Sequence, residues 1–166
     1  MRALFCPHCG TRLTEKRIGD EGLVPYCDSC TTPIFESSSV CILTMVINEL
    51  NEVALLRQNY VSKDFYVFVA GYYKPGESAE DTVKREVFEE IGQTVNELKF
   101  IKSEYHERLD TLFLLYVSKV IKEPFVLSSE VDDAFWVKLP LDESLLNQKG
   151  VALMLYKAYL SYDETR

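Results

Sequence analysis

Three glutamates fall within five residues in the segment Arg85-Glu-Val-Phe-Glu-Glu-Ile-Gly92. On a helix turning about 100° per residue, Glu86 and Glu90 share one face a single turn apart. Arg85 and Glu89 form a second such pair, so the arginine neutralises one acid. Glu86 and Glu90 are left as an unpaired double carboxylate, a seat for a hard cation that prefers oxygen ligands. A cation held there binds phosphate oxygens and lowers the pKa of a coordinated water. A solvated, Glu-rich helix face has the same local composition, so the meaning of the acids depends on their surroundings.

A second constellation is built from sulfur. Cys6-Pro-His-Cys9 and Cys27-Asp-Ser-Cys30 are separated by 17 residues, the spacing of a four-cysteine zinc site. Each pair can present two thiolates to one tetrahedral Zn²⁺, and four protein ligands leave no open position, so such a zinc is structural. Redox-active pairs and an emptied site are the alternatives. His8 lies inside a knuckle as a bystander. Cys41, in an apolar run, reads as a small buried hydrophobe.

These residues need elements to hold them. The segment up to about residue 36 is rich in Gly, Thr, Pro and Cys and too small to fold on burial alone. Glu36-Ser-Ser-Ser39 reads as a linker, which gives a module over 1–36 and a second domain over 37–166. From Val40 the pattern is strand-like, with runs at Val40 to Ile47, Val53 to Arg57 and Phe65 to Ala70. Asn48 to Asn51 reads as a hairpin turn. Lys74-Pro75-Gly76 breaks the chain, and a helix is expected from Ser78 to Ile91, with Val83, Val87 and Ile91 in one stripe and Gly92 past its end. Further strands are expected at Leu98 to Glu104, Leu112 to Val120 and Phe135 to Leu139. A short helix at Asp142 to Gln148 and a closing one at Val151 to Tyr162 complete an α+β fold.

The stretch from Gly71 to Gly92 resembles the Nudix box, G-x5-E-x7-R-E-U-x-E-E-x-G-U, with U a bulky aliphatic. Gly71, Glu77, Arg85, Glu86, Val87, Glu89, Glu90 and Gly92 match in register, and only Gln93 departs, at a packing position. The resemblance implies an α/β/α sandwich with a mixed sheet, preceded here by a small zinc ribbon. It implies a Mg²⁺ or Mn²⁺ site formed by Glu86, Glu89, Glu90 and the Gly71 carbonyl, with Glu77, Arg85 and Gly92 structural. Family members attack a diphosphate phosphorus with a metal-activated water. They commonly borrow a further acid from a later loop, and Glu130-Val-Asp-Asp-Ala-Phe-Trp136 resembles E-[I/V]-x-x-A-x-W after the box. Glu130 is therefore the candidate base or ligand, with Asp132 and Asp133 as substitutes.

A zinc ribbon ahead of a Nudix domain resembles the NADH/NAD pyrophosphatase branch. That branch has an aromatic five residues after the last cysteine, here Phe35, and one after the first box glycine, here Tyr72. Both are expected to contact a nucleobase, although the 19 Phe and Tyr residues must also furnish core and sheet surface. The branch's S-Q-P-W-P-F-P-x-S-L-M segment is replaced by Ser103-Glu-Tyr-His-Glu-Arg-Leu-Asp-Thr111-Leu-Phe113. Tyr105, with His106 and Arg108, becomes the substrate-binding candidate there, and an exposed hairpin is the competing reading.

With 18 Lys+Arg against 26 Asp+Glu, the net charge of −8 provides no long-range attraction to nucleic acid or an anionic membrane. No window approaches the roughly 20 apolar residues of a membrane span, and the N-terminus carries no secretory pattern, so a cytoplasmic protein is expected. The leading reading is a pyrophosphohydrolase for a small nucleoside diphosphate derivative such as an NAD(H)-like dinucleotide or ADP-ribose. Removal of a nucleotide cap from RNA and non-catalytic nucleotide binding are the alternatives. The resemblance also implies a homodimer.

Overall fold

A computed structural model of the chain describes residues 3–35 and 38–163. It divides into two compact units, Met1–Ser38 and Ser39–Arg166. The division falls two residues beyond the boundary read from the sequence, because Ser39 already pairs with Thr111 in the second unit's sheet. Glu36 and Ser37 of the expected linker lie outside the described residues.

The first unit is an antiparallel meander of β1 (Thr14–Arg17), β2 (Leu23–Cys27) and β3 (Thr32–Pro33). Among its described residues only Cys6, Val24 and Cys27 are buried hydrophobics, so sulfur takes the place of a hydrocarbon core. The residue after each cysteine pair is left-handed, Gly10 at φ 73° and Thr31 at φ 53°. That turn curls each knuckle back on itself, with the Gly10 N–H donating to the Cys6 carbonyl at 2.9 Å and the Cys30 N–H to Cys27 Sγ at 3.3 Å.

The second unit contains β4 (Ser39–Asn48), β5 (Glu52–Arg57), β6 (Val69–Tyr72), α1 (Ala79–Ile91), β7 (Val95–His106), β8 (Thr111–Val120), β9 (Asp133–Lys138) and α2 (Val151–Asp163). The sheet runs β7-β8-β4-β5-β9, with β6 also on β4. β4 is parallel to β8 along its whole length. Its other edge is shared: β6 pairs with Cys41 to Thr44, and β5 meets it at Ile47. A strand flanked on both edges and both faces must be apolar throughout, and β4 reads Ser-Val-Cys-Ile-Leu-Thr-Met-Val-Ile-Asn. Its alternate residues Cys41, Leu43, Met45 and Ile47 enter one core with Leu153, Leu155 and Tyr156 of α2. Ile42 and Val46 enter the other, beneath Val83, Val87 and Ile91 of α1. The result is an α/β/α sandwich.

α1 has sharp ends. Ser78 Oγ accepts from the Asp81 N–H at 3.1 Å and caps the N-terminus, where Glu80 and Asp81 favour the helix dipole. Gly92 closes the C-terminus at φ 69°, its N–H donating to the Phe88 carbonyl. The Asn48–Asn51 turn forms as expected, with Asn51 at φ 59°.

Two expectations need correction. Asp142 to Gln148 is a single 3-10 turn, Glu143–Leu145, because Leu146 is drawn fully into the core and the Tyr66 N–H takes the Leu145 carbonyl at 2.9 Å. The strand expected over Phe65 to Ala70 lies later, with Tyr66 and Val67 making only isolated bridges before β6.

A methyl group at Gly92 would stand 2.7 Å from Val126 Cβ on a left-handed residue. Gly92→Ala is expected to lower stability by more than about 1 kcal/mol in urea unfolding, and unchanged stability would contradict this closing geometry.

Candidate active site

The acids meet where β6 leaves the sheet and α1 crosses it. Gly71 pairs with Ile42 of β4 and lies directly beneath Glu86. A Cβ at Gly71 would fall 2.0 Å from Glu86 Cδ, so only glycine admits this carboxylate to the sheet surface. Arg85 organises the exposed side of the helix. Its Nε and Nη2 donate to the two oxygens of Glu77 at 2.7 and 3.0 Å, and its Nη1 reaches Glu86 Oε1 at 2.5 Å and Glu89 Oε2 at 3.0 Å. A fifth contact, Nη2 to the Tyr72 carbonyl at 3.2 Å, fixes the end of β6. The fork of donors suits this task, and the ion pair holds the Glu77 carboxyl down at about 2. Thr82, fully buried, adds a hydroxyl to Glu77 Oε2 at 3.0 Å.

Glu86 is thus paired, contrary to the expectation of two unpaired carboxylates. The guanidinium sits between positions 86 and 89 and serves both, which i,i+4 spacing alone does not reveal. Glu90 is the one that lacks a cation. It is 4% exposed, its Oε1 meets Gln58 Nε2 at 3.4 Å, and its Oε2 has no hydrogen-bond partner. Burial, and then the charge of Glu86, push its carboxyl up to about 8. Burial also raises Glu86. An orphaned buried oxygen beside a second carboxylate is the arrangement a hard divalent cation satisfies, so these residues fit such an ion.

Glu130 is exposed on a strap, residues 121–132, between β8 and β9. The Ser128 N–H of that strap donates to the Glu90 carbonyl at 3.1 Å, and the Glu130 N–H to Ser128 Oγ at 3.3 Å. Glu130's charge contributes, after burial and Glu86, to raising Glu90, so the two carboxylates are near enough to repel. The substitutes are engaged elsewhere: Asp132 Oδ2 accepts from the Asn59 N–H at 2.6 Å and Asp133 Oδ1 from the Ala134 N–H. Trp136 packs against the α1-side core and stacks on Phe125, with ring centroids 4.9 Å apart.

Tyr72 is exposed at the end of β6, and Phe35 is exposed in the first unit. Tyr105 is exposed near the tip of the β7–β8 hairpin. Its hydroxyl donates to Asp110 Oδ1 at 2.7 Å, and His106 Nδ1 accepts from the Leu109 N–H, so the hairpin tip spends these groups on itself. Gln58 and Tyr60 were not singled out by sequence. Gln58 follows Arg57, the last residue of β5, and is buried, which nothing in its local sequence signals. Tyr60, exposed, has its hydroxyl pKa raised by burial and by the charges of Glu130, Glu90 and Glu86, so it borders the acids.

The NUDIX domain matches residues 37–150. The chain belongs to the NUDIX family. It is 30% identical over 158 residues to the NAD-capped RNA hydrolase NudC of Pseudomonas aeruginosa, covering 95% of this chain and 55% of that protein. It is 28% identical to NudC of Chromobacterium violaceum over 80% of this chain and 49% of that one. The chain spans about half the length of the curated relatives it matches. Among solved structures it is similar to a NUDIX hydrolase from Nitrosomonas europaea, at TM-score 0.72 and 17% identity over 99% of this chain and 93% of that one. It also matches the NUDIX domain of Shewanella oneidensis NrtR complexed with ADP ribose, at TM-score 0.65 and 16% identity over 82% and 93%. These two likenesses establish the fold. No described helix is long and apolar enough to cross a membrane.

In the first unit, one sulfur from each of Cys6, Cys9, Cys27 and Cys30 lies within 4.8 Å of the others. All four cysteines are free. Thiols this close cannot ionise together unaided. The Thr11 hydroxyl and backbone draw Cys9 down to about 6, while its sulfur neighbours, Cys9 first, push Cys30 up to about 12. A soft-ligand cation resolves the conflict, and the four sulfurs fit Zn²⁺.

Each centre has its own measurement. Protein purified under reducing conditions without chelator is expected to hold about one zinc per chain. Cys41→Ser should retain it and Cys6→Ser should lose it, and zinc-free wild-type protein would refute the assignment. Glu90 keeps its proton to about pH 8 when folded but ionises near the ordinary carboxylate value when unfolded. Between those values the folded state binds more protons, so stability falls as pH rises through the window. Metal-free wild type should lose Tm relative to Glu90→Gln between about pH 5 and about pH 9, and Mg²⁺ should narrow the gap. A pH-independent difference would count against a buried, cation-seeking Glu90.

Proposed function

We propose that the protein is a divalent-metal-dependent pyrophosphohydrolase that cleaves the phosphate–phosphate bond of a nucleoside diphosphate joined to a second moiety. The observation that carries this is the orphaned Oε2 of buried Glu90 beside Glu86, held over Gly71 by the Arg85 ion pairs. A group with that burial is stabilised by a bound cation and by little else within its reach. Mg²⁺ or Mn²⁺ is the ion that suits an all-oxygen site, and when bound it supplies charge neutralisation for phosphate oxygens and acidifies water.

The residues take distinct parts. Glu86 and Glu90, with the Gly71 carbonyl, offer oxygens to the ion, and Glu89 stands at the rim beside Arg85. Glu77 and Arg85 fix the approach of the β6–α1 loop, so that Glu86 keeps one orientation. Glu130 accepts a proton from the water whose oxygen attacks phosphorus as the bridging P–O bond breaks, leaving two phosphorylated fragments. Tyr72 offers an exposed ring on which a base can stack.

The NAD-capped RNA hydrolases to which the chain is similar bring one further substrate of this class into view. In NAD-capped RNA the scissile bond is the same dinucleotide pyrophosphate, so a site that cleaves NAD(H) has the chemistry for the cap as well. The net charge of −8 works against further contacts along an RNA chain, which favours small diphosphate substrates over a capped RNA here. The homodimer implied by the resemblance belongs to the same proposal and is checked by light scattering.

The test is kcat/KM with Mg²⁺ or Mn²⁺ for NADH, NAD, ADP-ribose, diadenosine polyphosphates, nucleoside triphosphates and NAD-capped RNA. Several adenine-containing diphosphates should fall within roughly two orders of magnitude of one another, because the Tyr105 hydroxyl and His106 Nδ1 are engaged within the Ser103 to Phe113 hairpin. Glu86→Gln and Glu90→Gln should lose at least about a hundredfold in kcat with the fold intact. Near-normal turnover in both variants would overturn the proposal, and a far larger preference for NADH would overturn its breadth.

A further inference from the structure

Gln93 stands where the box motif ends in a bulky aliphatic residue, and it is completely buried. A buried primary amide is costly unless its groups are used, and both of these are. Nε2 donates to the carbonyls of Glu123 at 3.2 Å and Pro124 at 3.3 Å, with the Ile91 carbonyl at 3.5 Å. Oε1 accepts from the Glu123 N–H at 3.2 Å. One side chain thus reads the backbone of two consecutive strap residues from both sides.

At its two ends the strap is tied to β5 and the turn before it: the Lys122 N–H donates to Glu49 Oε2 at 2.8 Å, Lys122 Nζ pairs with Glu52 Oε2 at 2.7 Å, and the Asp132 N–H donates to the Arg57 carbonyl at 2.8 Å. Residues 121–124 are exposed, as are Val126, Leu127, Ser129 and Glu130. Its apolar anchors are Phe125, stacked on Trp136, and buried Val131. Between them the chain follows the end of α1 by hydrogen bonds, Val126 N–H to the Ile91 carbonyl at 3.2 Å and Ser128 N–H to the Glu90 carbonyl at 3.1 Å. Gly92 permits this approach by lacking the Cβ that Val126 would meet. The Ser128 turn then presents Glu130.

We propose that Gln93 is a positioning residue: its amide locks the strap to the end of α1 and thereby sets where the Glu130 carboxylate stands relative to Glu90. This rests on the reading of Glu130 as a functional carboxylate in the hydrolase proposed above. It makes the departure from the motif a substitution of polar anchoring for packing.

Gln93→Leu restores the motif's aliphatic and keeps the core position filled, so the fold should survive while the anchor is lost. Hydrogen exchange and a double-mutant cycle with Glu130→Gln, using NADH and ADP-ribose as substrates with Mn²⁺, test the two halves separately. In Gln93→Leu the amides of Glu123, Val126 and Ser128 should lose protection about tenfold or more, with β4 and β8 unchanged. The kcat should fall roughly ten- to a hundredfold with KM little altered, as expected for a misplaced catalytic group. On the Glu130→Gln background the same change should cost less than about twofold, because the two act as one unit. Unchanged strap protection would overturn the positioning role, and a full additional loss on that background would overturn its route through Glu130. Normal turnover by Glu130→Gln with an inactive Glu90→Gln would overturn this inference alone and leave the hydrolase standing. Normal turnover by Glu86→Gln and Glu90→Gln would overturn both.

Discussion

Burying carboxylates at the surface of a sheet is the constraint around which the second unit is arranged. Desolvation raises both Glu86 and Glu90, and two such groups a turn apart oppose each other's ionisation. The chain meets this chiefly with one cation, Lys74 adding its charge 4.0 Å from Glu89 Oε2. Arg85 divides its guanidinium among Glu77, Glu86 and Glu89 and leaves Glu90 to an ion from outside. An arginine suits the role because its planar fork satisfies Glu77 with two bonds while a third nitrogen edge remains free for the helix acids. A lysine would supply the charge but not the angles. Glu77 accordingly holds the loop to the helix, and the electrostatics of the site and the shape of the β6–α1 loop become one structure.

The sheet topology makes that arrangement possible. β4 shares one edge between β6 and β5, so the chain separates there, and α1 crosses where β6 has just ended. Gly71 lies on that short strand beside Ile42, whose side chain enters the core under α1. A longer β6 or a side chain at position 71 would close the surface to Glu86. The rest of the second unit, with α2 and its core on the opposite face, keeps β4 and β8 rigid without touching the chemistry.

Much of this was legible in the sequence because the signals are local. The continuous apolar, β-rich run of β4, the stripe Val83, Val87 and Ile91, and the caps Ser78 and Gly92 each depend on residues a few places apart, and each element appears where those residues put it. What escaped depends on pairs distant in sequence. Arg85 reaches Glu77 across the loop, Gln58 finds Glu90 32 residues away, and Gln93 holds residues 123 and 124 some 30 residues on. The helix expected at Asp142 to Gln148 failed because tertiary burial of Leu146 outweighs a weak local preference. Tyr105 looked free as a side chain in sequence, and its partner Asp110 is visible only once the hairpin closes.

The two metal centres therefore answer different physical problems. In the first unit the only buried hydrophobics described are Cys6, Val24 and Cys27, so without an ion among the sulfurs there is little apolar area to offset chain entropy. Zn²⁺ held by the four thiolates would supply what that apolar area does not, and soft, closed coordination suits an ion that stays. The second unit has two full cores, and the orphaned oxygen of Glu90 is a local penalty that a large core can carry. Hard oxygen ligands at a partly open surface bind an ion that can exchange and share its coordination with phosphate. On the function proposed above, sulfur serves the ion that would build the protein, and oxygen the ion that would work on a substrate.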